Sequence, residues 1–431
     1  MPPNPTVPPT TTDWRRRDHR CAAESRPLDT HRTKRTSMNI KMTTAKTKLR
    51  EVQEQFDTLF GQWPRVYRAP GRVNLIGEHT DYNEGLVMPA AIQFHVWVAA
   101  ATRNDRRLLA HSTNFSETVE IDLQSQELRP KNHWSDYVLG IAMMLEQSGH
   151  VLPGANLLIL GDVPIGSGLS SSAALEIASG LALLGTAGIP VDRTKLAKLC
   201  QRAENEIVGA RVGIMDPFIS CFGCSGHALM LDCRSLQYCL LPVSSEAQLV
   251  ICNTMVKHSL ANGEYNSRRA ECEEAVRVLS HFLPQARALR DVTLADLAHY
   301  GGELRPSVYK RCRHVITENM RVTEAADALR NNDLPKFGRL MGESHCSLKE
   351  DYEVSCAELD LMVELAQKQP GVYGSRMTGG GFGGCTINVV DGQAVDNFQR
   401  NIFRDYQRLT GRTPQIFVST LADGACEVES A

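Results

Sequence analysis

No apolar run in the 431-residue chain approaches the ~20 residues needed to cross a bilayer, so no membrane span is expected. Net charge is almost absent, at −2, which gives nucleic acid or an anionic membrane nothing to attract in bulk. The 13 cysteines are scattered. Cys221 and Cys224 stand at Cys-x-x-Cys spacing, but no second pair at zinc-ligand spacing joins them, so neither a zinc site nor a redox pair is expected. The thiols read as the reduced, mostly buried thiols of a cytosolic protein. Residues 1–45 lack apolar content. Met1 to Thr12 is Pro/Thr-rich, and Arg15 to Arg35 is basic with almost no apolar residue. Such a segment cannot bury enough surface to fold. It has no apolar centre of a secretory signal, and Asp13, Asp18, Glu24 and Asp29 argue against a transit peptide. It is read as a disordered extension upstream of the first periodic segment, which Met38 and Met42 just precede.

The chain as a whole is 42% apolar and 22% charged, the composition of an ordinary globular protein, and its length suggests two domains. The chain is organised around Gly161-Asp-Val-Pro-Ile-Gly-Ser-Gly-Leu-Ser-Ser-Ser-Ala-Ala-Leu-Glu176. Ala155 to Leu160 reads as a buried strand and Ala173 to Leu184 as a helix. Between them lie Gly166, Ser167, Gly168, Leu169, Ser170, Ser171 and Ser172. Glycines let backbone N–H groups approach a ligand, and a helix start adds free donors and the positive end of a dipole. The combination suits a multiply charged anion, most plausibly a nucleotide phosphate. No Gly-Lys-Ser/Thr closes it as a P-loop, and the third glycine of a dinucleotide fingerprint is missing. A plain serine-capped helix after a turn is the simpler alternative.

Upstream, Gly71-Arg-Val-Asn-Leu-Ile-Gly-Glu-His-Thr-Asp-Tyr82 packs Arg72, Asn74, Glu78, His79 and Asp81 between aliphatic anchors. A solvated loop can carry such charge. Equally, carboxylates, an imidazole and a guanidinium match sugar hydroxyls, which donate and accept at once. Downstream, Thr194 to Val208 is helical by spacing and carries Glu204 close to its apolar face. That Glu is either exposed or, if buried, in need of a partner or a metal. Asp216 lies in Val212-Gly-Ile-Met-Asp-Pro-Phe, where it reads as a helix N-cap before Pro217 or as a working carboxylate. Val87 to Ala101, His227 to Asp232, Tyr238 to Leu241 and Leu249 to Asn253 read as strands, the last three in a second domain. Ser375-Arg-Met-Thr-Gly-Gly-Gly-Phe-Gly-Gly-Cys-Thr386 reads as a flexible hairpin or as a close backbone approach.

The Ser-rich stretch resembles the second motif of the small-metabolite kinases that include galactokinase, homoserine kinase and mevalonate kinase. The stretch Gly71 to Tyr82 is similar, nearly letter for letter, to the galactokinase signature, and the resemblance runs over about residues 46 to 425. It implies an α+β fold of two domains, with the active site in the cleft between them. The N-terminal domain would be a ribosomal-S5-like mixed sheet with helices, and the C-terminal one a ferredoxin-like antiparallel sheet with helices. The expected boundaries are 1–45 for the extension, 46–226 and 227–431. The resemblance implies phosphorylation of galactose at C1 by ATP with Mg²⁺. Asp216 is then catalytic with Arg72; Glu78, His79, Thr80, Asp81, Gly213 and Tyr265 hold the sugar. Ser112 and Trp134 border the adenine, Gly166 to Ser172 hold the phosphates, and Ser172 and Glu204 hold the metal. It further implies a cytoplasmic monomer that binds neither nucleic acid nor membrane. The family usually has Gln where this chain has Pro217, which bears on local backbone geometry. A kinase for N-acetylgalactosamine or arabinose, and a non-catalytic sugar and ATP sensor, are the alternatives. Such sensors lack two residues of the Ser-rich loop, and this chain keeps Ser170 to Ala174 in full.

The extension should be dispensable. A chain starting at Met42 is expected to match the full chain in melting temperature and turnover; a large loss of either contradicts this.

Overall fold

The computed structural model describes residues 45–256 and 261–429, without the side chains of residues 261 and 262; the expected N-terminal extension lies outside them. The chain runs α1 (Ala45–Phe60), β1 (Arg65–Asn74), β2 (Leu86–Val87), β3 (Pro89–Arg103), β4 (Arg107–Ser112), β5 (Glu117–Asp122), α2 (Ser135–Gln147), β6 (Gly154–Gly161), α3 (Ser171–Thr186), α4 (Arg193–Ala203) and α5 (Met215–Phe222). It continues through β7 (His227–Asp232), β8 (Tyr238–Pro242), β9 (Ala247–Asn253), α6 (Ala261–Leu279), α7 (Leu294–Tyr300), α8 (Pro306–Arg330), α9 (Leu334–Glu350) and α10 (Ala357–Gln367). β10 (Val372–Thr378), β11 (Cys385–Asp391), α11 (Val395–Thr410), β12 (Gln415–Ser419) and β13 (Cys426–Val428) complete it.

The first sheet has the order β13-β1-β3-β6-β4-β5. Only β4 and β6 run parallel, so the sheet is mixed. Its centre is apolar along whole strands: β6 is buried from Gly154 to Leu160. Against it lies α3, whose buried residues run almost unbroken from Ala173 to Leu184. A helix apolar on all sides belongs in an interior, and α3 is enclosed by β1 and β3 on one side and by α2, α4 and α5 elsewhere. The second sheet has the order β10-β11-β9-β12 and is antiparallel throughout. In chain order this is strand, helices, strand, strand, helix, strand, the ferredoxin-like pattern, and the fold is the expected two-domain α+β arrangement.

Three details differ from the sequence reading. Of the three strands assigned together to the second domain, β7 and β8 pair instead with β2 in a separate three-stranded sheet, and only β9 joins the second sheet. The helix read as continuous to Val208 changes at Glu204 to a π-helical turn through Val208. The C-terminus returns to the first sheet, where β13 pairs with β1.

The second sheet is stitched to the end of β1 by buried polar groups. Thr378 Oγ1 accepts from Asn74 N at 2.9 Å, and Arg376 donates to the Asn74 carbonyl at 2.9 Å. Arg376 is fully buried and pairs with the equally buried Glu78 at 2.8 Å. Removing one partner of a buried pair strands the other charge at a cost of about 3–5 kcal/mol. Arg376→Ala should therefore lower unfolding stability by several kcal/mol, less at about pH 6 than at about pH 9. The sign follows from Glu78: burial already lifts its pKa to about 7, and losing the guanidinium lifts it further. The folded variant thus keeps a proton that the unfolded chain releases, and stability falls as pH rises. Urea titrations at the two pH values check this; a loss under about 1 kcal/mol, or the opposite pH trend, contradicts it.

Candidate active site

Arg72 is the hub. It sits on β1 with its side chain buried, and it grips Asp216 bidentately, Nε to Oδ1 and a terminal nitrogen to Oδ2, both at 2.7 Å. Its remaining arm donates to the Gly168 carbonyl at 2.5 Å. Ser170 Oγ donates a further bond to Asp216. Asp216 lies in the first turn of α5, but Ile214 occupies the cap position, so the N-cap reading fails. Pro217 also falls in that first turn, where its missing N–H has no helical partner to lose.

The phosphate-loop candidate, Pro164 to Ser170, connects β6 to α3. Gly166, Gly168 and Ser170 all have positive φ, at 70°, 80° and 58°. Gly168 is exposed while Ser167 and Leu169 turn inward. Ser167 Oγ closes the loop on the Pro164 carbonyl at 2.6 Å, and the Leu169 carbonyl accepts from Arg72 N at 3.1 Å. The glycine run between β10 and β11 is no free hairpin: a Cβ at Gly379 would stand 2.9 Å from the Gly168 carbonyl, and one at Gly384 2.9 Å from that of Ser167. Ser172, at the start of α3, hydrogen-bonds Glu204, which is buried at the π-helical turn. Burial first, and then the charge of Asp216, raise the Glu204 pKa to about 7.

A cavity of about 160 Å³ opens on the other side of Arg72, lined by Glu78, His79, Asp81, Gly213, Met215, Asp216, Tyr265 and the turn at Gly379. Glu78 accepts from Gly379 N at 2.9 Å and from Asn74 Nδ2 at 3.1 Å. Desolvation, and then the Asp216 charge, push the Asp81 pKa up to about 6. Gly213 is where it must be: a Cβ there would stand 1.9 Å from the Asp81 carboxylate. Burial drives the His79 pKa down to about 3, so the ring is neutral. Its Nδ1 meets the Tyr82 hydroxyl at 2.8 Å. Thr80 is brought close in sequence but not into the cavity; its hydroxyl donates to the carbonyls of Gly77 and Leu86 at 2.8 and 2.7 Å.

A second cavity, of about 650 Å³, lies along the phosphate loop and shares Arg72, Asp216, Val212, Tyr265 and Gly380 with the first. Gly166, Gly168 to Ser172 and Glu204 line it, and Ser112 and Trp134 stand at its far end. Sequence reasoning missed Arg376, whose one signal was a lone charge in an otherwise uncharged strand.

Comparisons with known proteins match three separate stretches of the chain. Residues 136–224 match the family model described as GHMP kinases N terminal domain, and residues 325–408 match GHMP kinases C terminal. A crystal structure titled mevalonate kinase, 17% identical, shares the fold with a TM-score of 0.58, covering 83% of this chain and 98% of that one. These findings define a GHMP small-metabolite kinase. Residues 54–102 match a further model, the galactokinase galactose-binding signature. A galactokinase of Chloroflexus aggregans is 48% identical over 377 residues, 87% of this chain and 97% of its own. One of Haemophilus influenzae is 41% identical over 384 residues, 88% and 99%. The structure of Lactococcus lactis galactokinase complexed with galactose superposes with a TM-score of 0.85 at 37% identity, covering 89% of this chain and all of that one. The chain belongs to the galactokinase family.

Proposed function

We propose that this enzyme moves the γ-phosphoryl group of ATP to the C1 hydroxyl of α-D-galactose, giving galactose 1-phosphate and ADP. The observation that carries the reading is the Arg72–Asp216 pair, which lines both cavities at once. In it the smaller cavity takes the sugar and the larger one ATP. Glu78, Asp81, His79 and Tyr265 meet the sugar hydroxyls, with Gly213 leaving room for Asp81; Thr80 holds their loop. Gly166, Gly168 and Ser170 to Ser172 face the phosphates, Ser167 and Leu169 keep that loop in shape, and Ser112 and Trp134 border the adenine.

The residues present fit Mg²⁺. A hydroxyl and a buried carboxyl in contact, Ser172 and Glu204, form a hard oxygen donor pair of the kind magnesium takes. Bound there beside ATP, the metal would neutralise charge on the phosphate oxygens.

Phosphoryl transfer through a loose transition state asks for alignment and charge neutralisation more than for a strong base. Asp216 suits this. Three donors hold its carboxylate in one orientation, and the incoming C1 hydroxyl would take the place of Ser170 on Oδ2 before giving up its proton. Arg72 stays cationic at any working pH and offsets charge on the transferring group. The groups named all come from one chain, so the reading needs no second subunit. Among the described residues no helix is long and apolar enough to cross a membrane, and the free thiols suit a reducing compartment, so we assign the enzyme to the cytoplasm.

Asp216→Asn keeps the shape and removes the proton acceptor. Single-turnover transfer is expected to slow by about 10²–10⁴. Galactose and ATP should still bind, since the base contributes little to the ground state. Near-normal transfer in this variant means that the acceptor is elsewhere; loss of galactose binding alone means that Asp216 is a sugar-holding residue.

A further inference from the structure

Behind the smaller cavity runs a row of hydroxyls that phosphoryl transfer does not use. It starts at His79, whose ring lines the cavity and whose φ of 62° is uncommon for a residue with a Cβ. Tyr352 and Tyr265 pack against that ring, with centroids 4.8 and 5.4 Å away. Nδ1 meets the Tyr82 hydroxyl at 2.8 Å, the Tyr82 hydroxyl meets that of Tyr352 at 2.7 Å, and the Tyr352 hydroxyl meets Cys272 Sγ at 3.1 Å. Asn83 closes the row, donating from Nδ2 to Cys272 Sγ at 3.6 Å and to the His79 carbonyl at 2.9 Å. Nε2, the other nitrogen of the ring, is buried and makes no hydrogen bond of good geometry.

The row has two consistent directions, and they put opposite polarity at Nε2. A neutral imidazole carries one proton. The two phenols are in hydrogen-bond contact, so one donates to the other. If Tyr352 donates to Tyr82, then Tyr82 donates to Nδ1 and the ring proton sits on Nε2. If Tyr82 donates to Tyr352, then Nδ1 carries the proton and Nε2 is bare. The sulfur end decides little, because a thiol is weak both as donor and as acceptor. The imidazole end decides. A phenol hydroxyl donates well but accepts poorly, since its lone pair is drawn into the ring, whereas a bare imidazole nitrogen accepts well. The Gly380 carbonyl also favours a proton on the His79 ring, and with Nδ1 committed to Tyr82 that proton belongs on Nε2.

We propose that Tyr82 and Tyr352 are positioning residues for the sugar: their hydroxyl relay holds His79 as the Nε2–H tautomer, which donates to one hydroxyl oxygen of galactose. This rests on the assignment of the smaller cavity to the sugar. Glu78, Asp81 and Asp216 line the same cavity, and their carboxylates accept hydrogens, so the ring N–H supplies the opposite polarity. The other tautomer would set two lone pairs face to face.

Proton–nitrogen NMR spectra of the full chain, isotope-labelled at histidine and assigned against His79→Gln, read the tautomer with the relay intact. Nδ1 should resonate as a bare nitrogen and Nε2 as a protonated one; a protonated Nδ1 overturns the inference. Steady-state kinetics read the consequence. Tyr82→Phe should raise KM for galactose about tenfold, the loss of roughly one hydrogen bond, with kcat and KM for ATP nearly unchanged, and Tyr352→Phe should act in the same direction more weakly. A loosened loop would penalise every sugar alike, whereas a lost donor spares one. Among galactoses deoxygenated in turn at C2, C3, C4 and C6, the one lacking the oxygen that His79 meets should have the same KM in Tyr82→Phe as in the parent chain. Equal penalties on all four overturn the relay. If His79→Gln raises KM for galactose and Tyr82→Phe does not, the relay falls and the sugar assignment stands. If His79→Gln leaves that KM unchanged, His79 does not meet the sugar, and the inference falls with that assignment.

Discussion

One guanidinium holds the site together. Arg72 leaves β1, clamps the Asp216 carboxylate of α5 with two bonds and fixes the Gly168 carbonyl of the phosphate loop with a third. Three segments far apart in sequence meet on a planar fork whose donors point in set directions, which is what guanidinium offers and ammonium does not. The pair is poor material for stability, since desolvating both charges consumes most of their attraction. Its return is orientation.

The same choice recurs around it. Glu78, Asp81 and Glu204 are carboxyl groups whose pKa values burial lifts to about 7, 6 and 7. Each would be an expense in a protein built only to fold. In the proposed reading each faces a ligand, sugar hydroxyls at Glu78 and Asp81 and a cation at Glu204. Arg376 makes this tolerable at Glu78 alone, by reaching in from the second sheet. The sheet-to-sheet contact and the smaller cavity are therefore one structure rather than two.

Much of this was legible in the sequence because it is written locally. Gly166 and Gly168 permit positive φ and a close approach of backbone donors, the serines after them mark a helix start, and the charged run from Arg72 to Asp81 is anchored by Val73, Leu75 and Ile76 within it. Residue periods gave β6, α3, α4 and β9, the length suggested two domains, and the α+β arrangement followed from the resemblance. What escaped depends on partners distant in sequence. Tyr238 to Leu241 has a strand pattern, but nothing in it says that β7 and β8 pair with Leu86–Val87. Glu204 was balanced between solvent and interior until α2 and α3 were packed against its helix. Arg376 draws its role from Glu78, and a pairing of that kind has no spacing to read.

The central claim is that Arg72 and Asp216 act as one unit, and a double-mutant cycle measures that directly. Single-turnover phosphoryl transfer is compared for the parent chain, Arg72→Met, Asp216→Asn and the double variant. Groups acting on one transition state through one contact are strongly non-additive. The account predicts a double variant hardly slower than the slower single one. Rate losses that multiply would contradict it, and would make Arg72 and Asp216 two independent contributors that happen to touch.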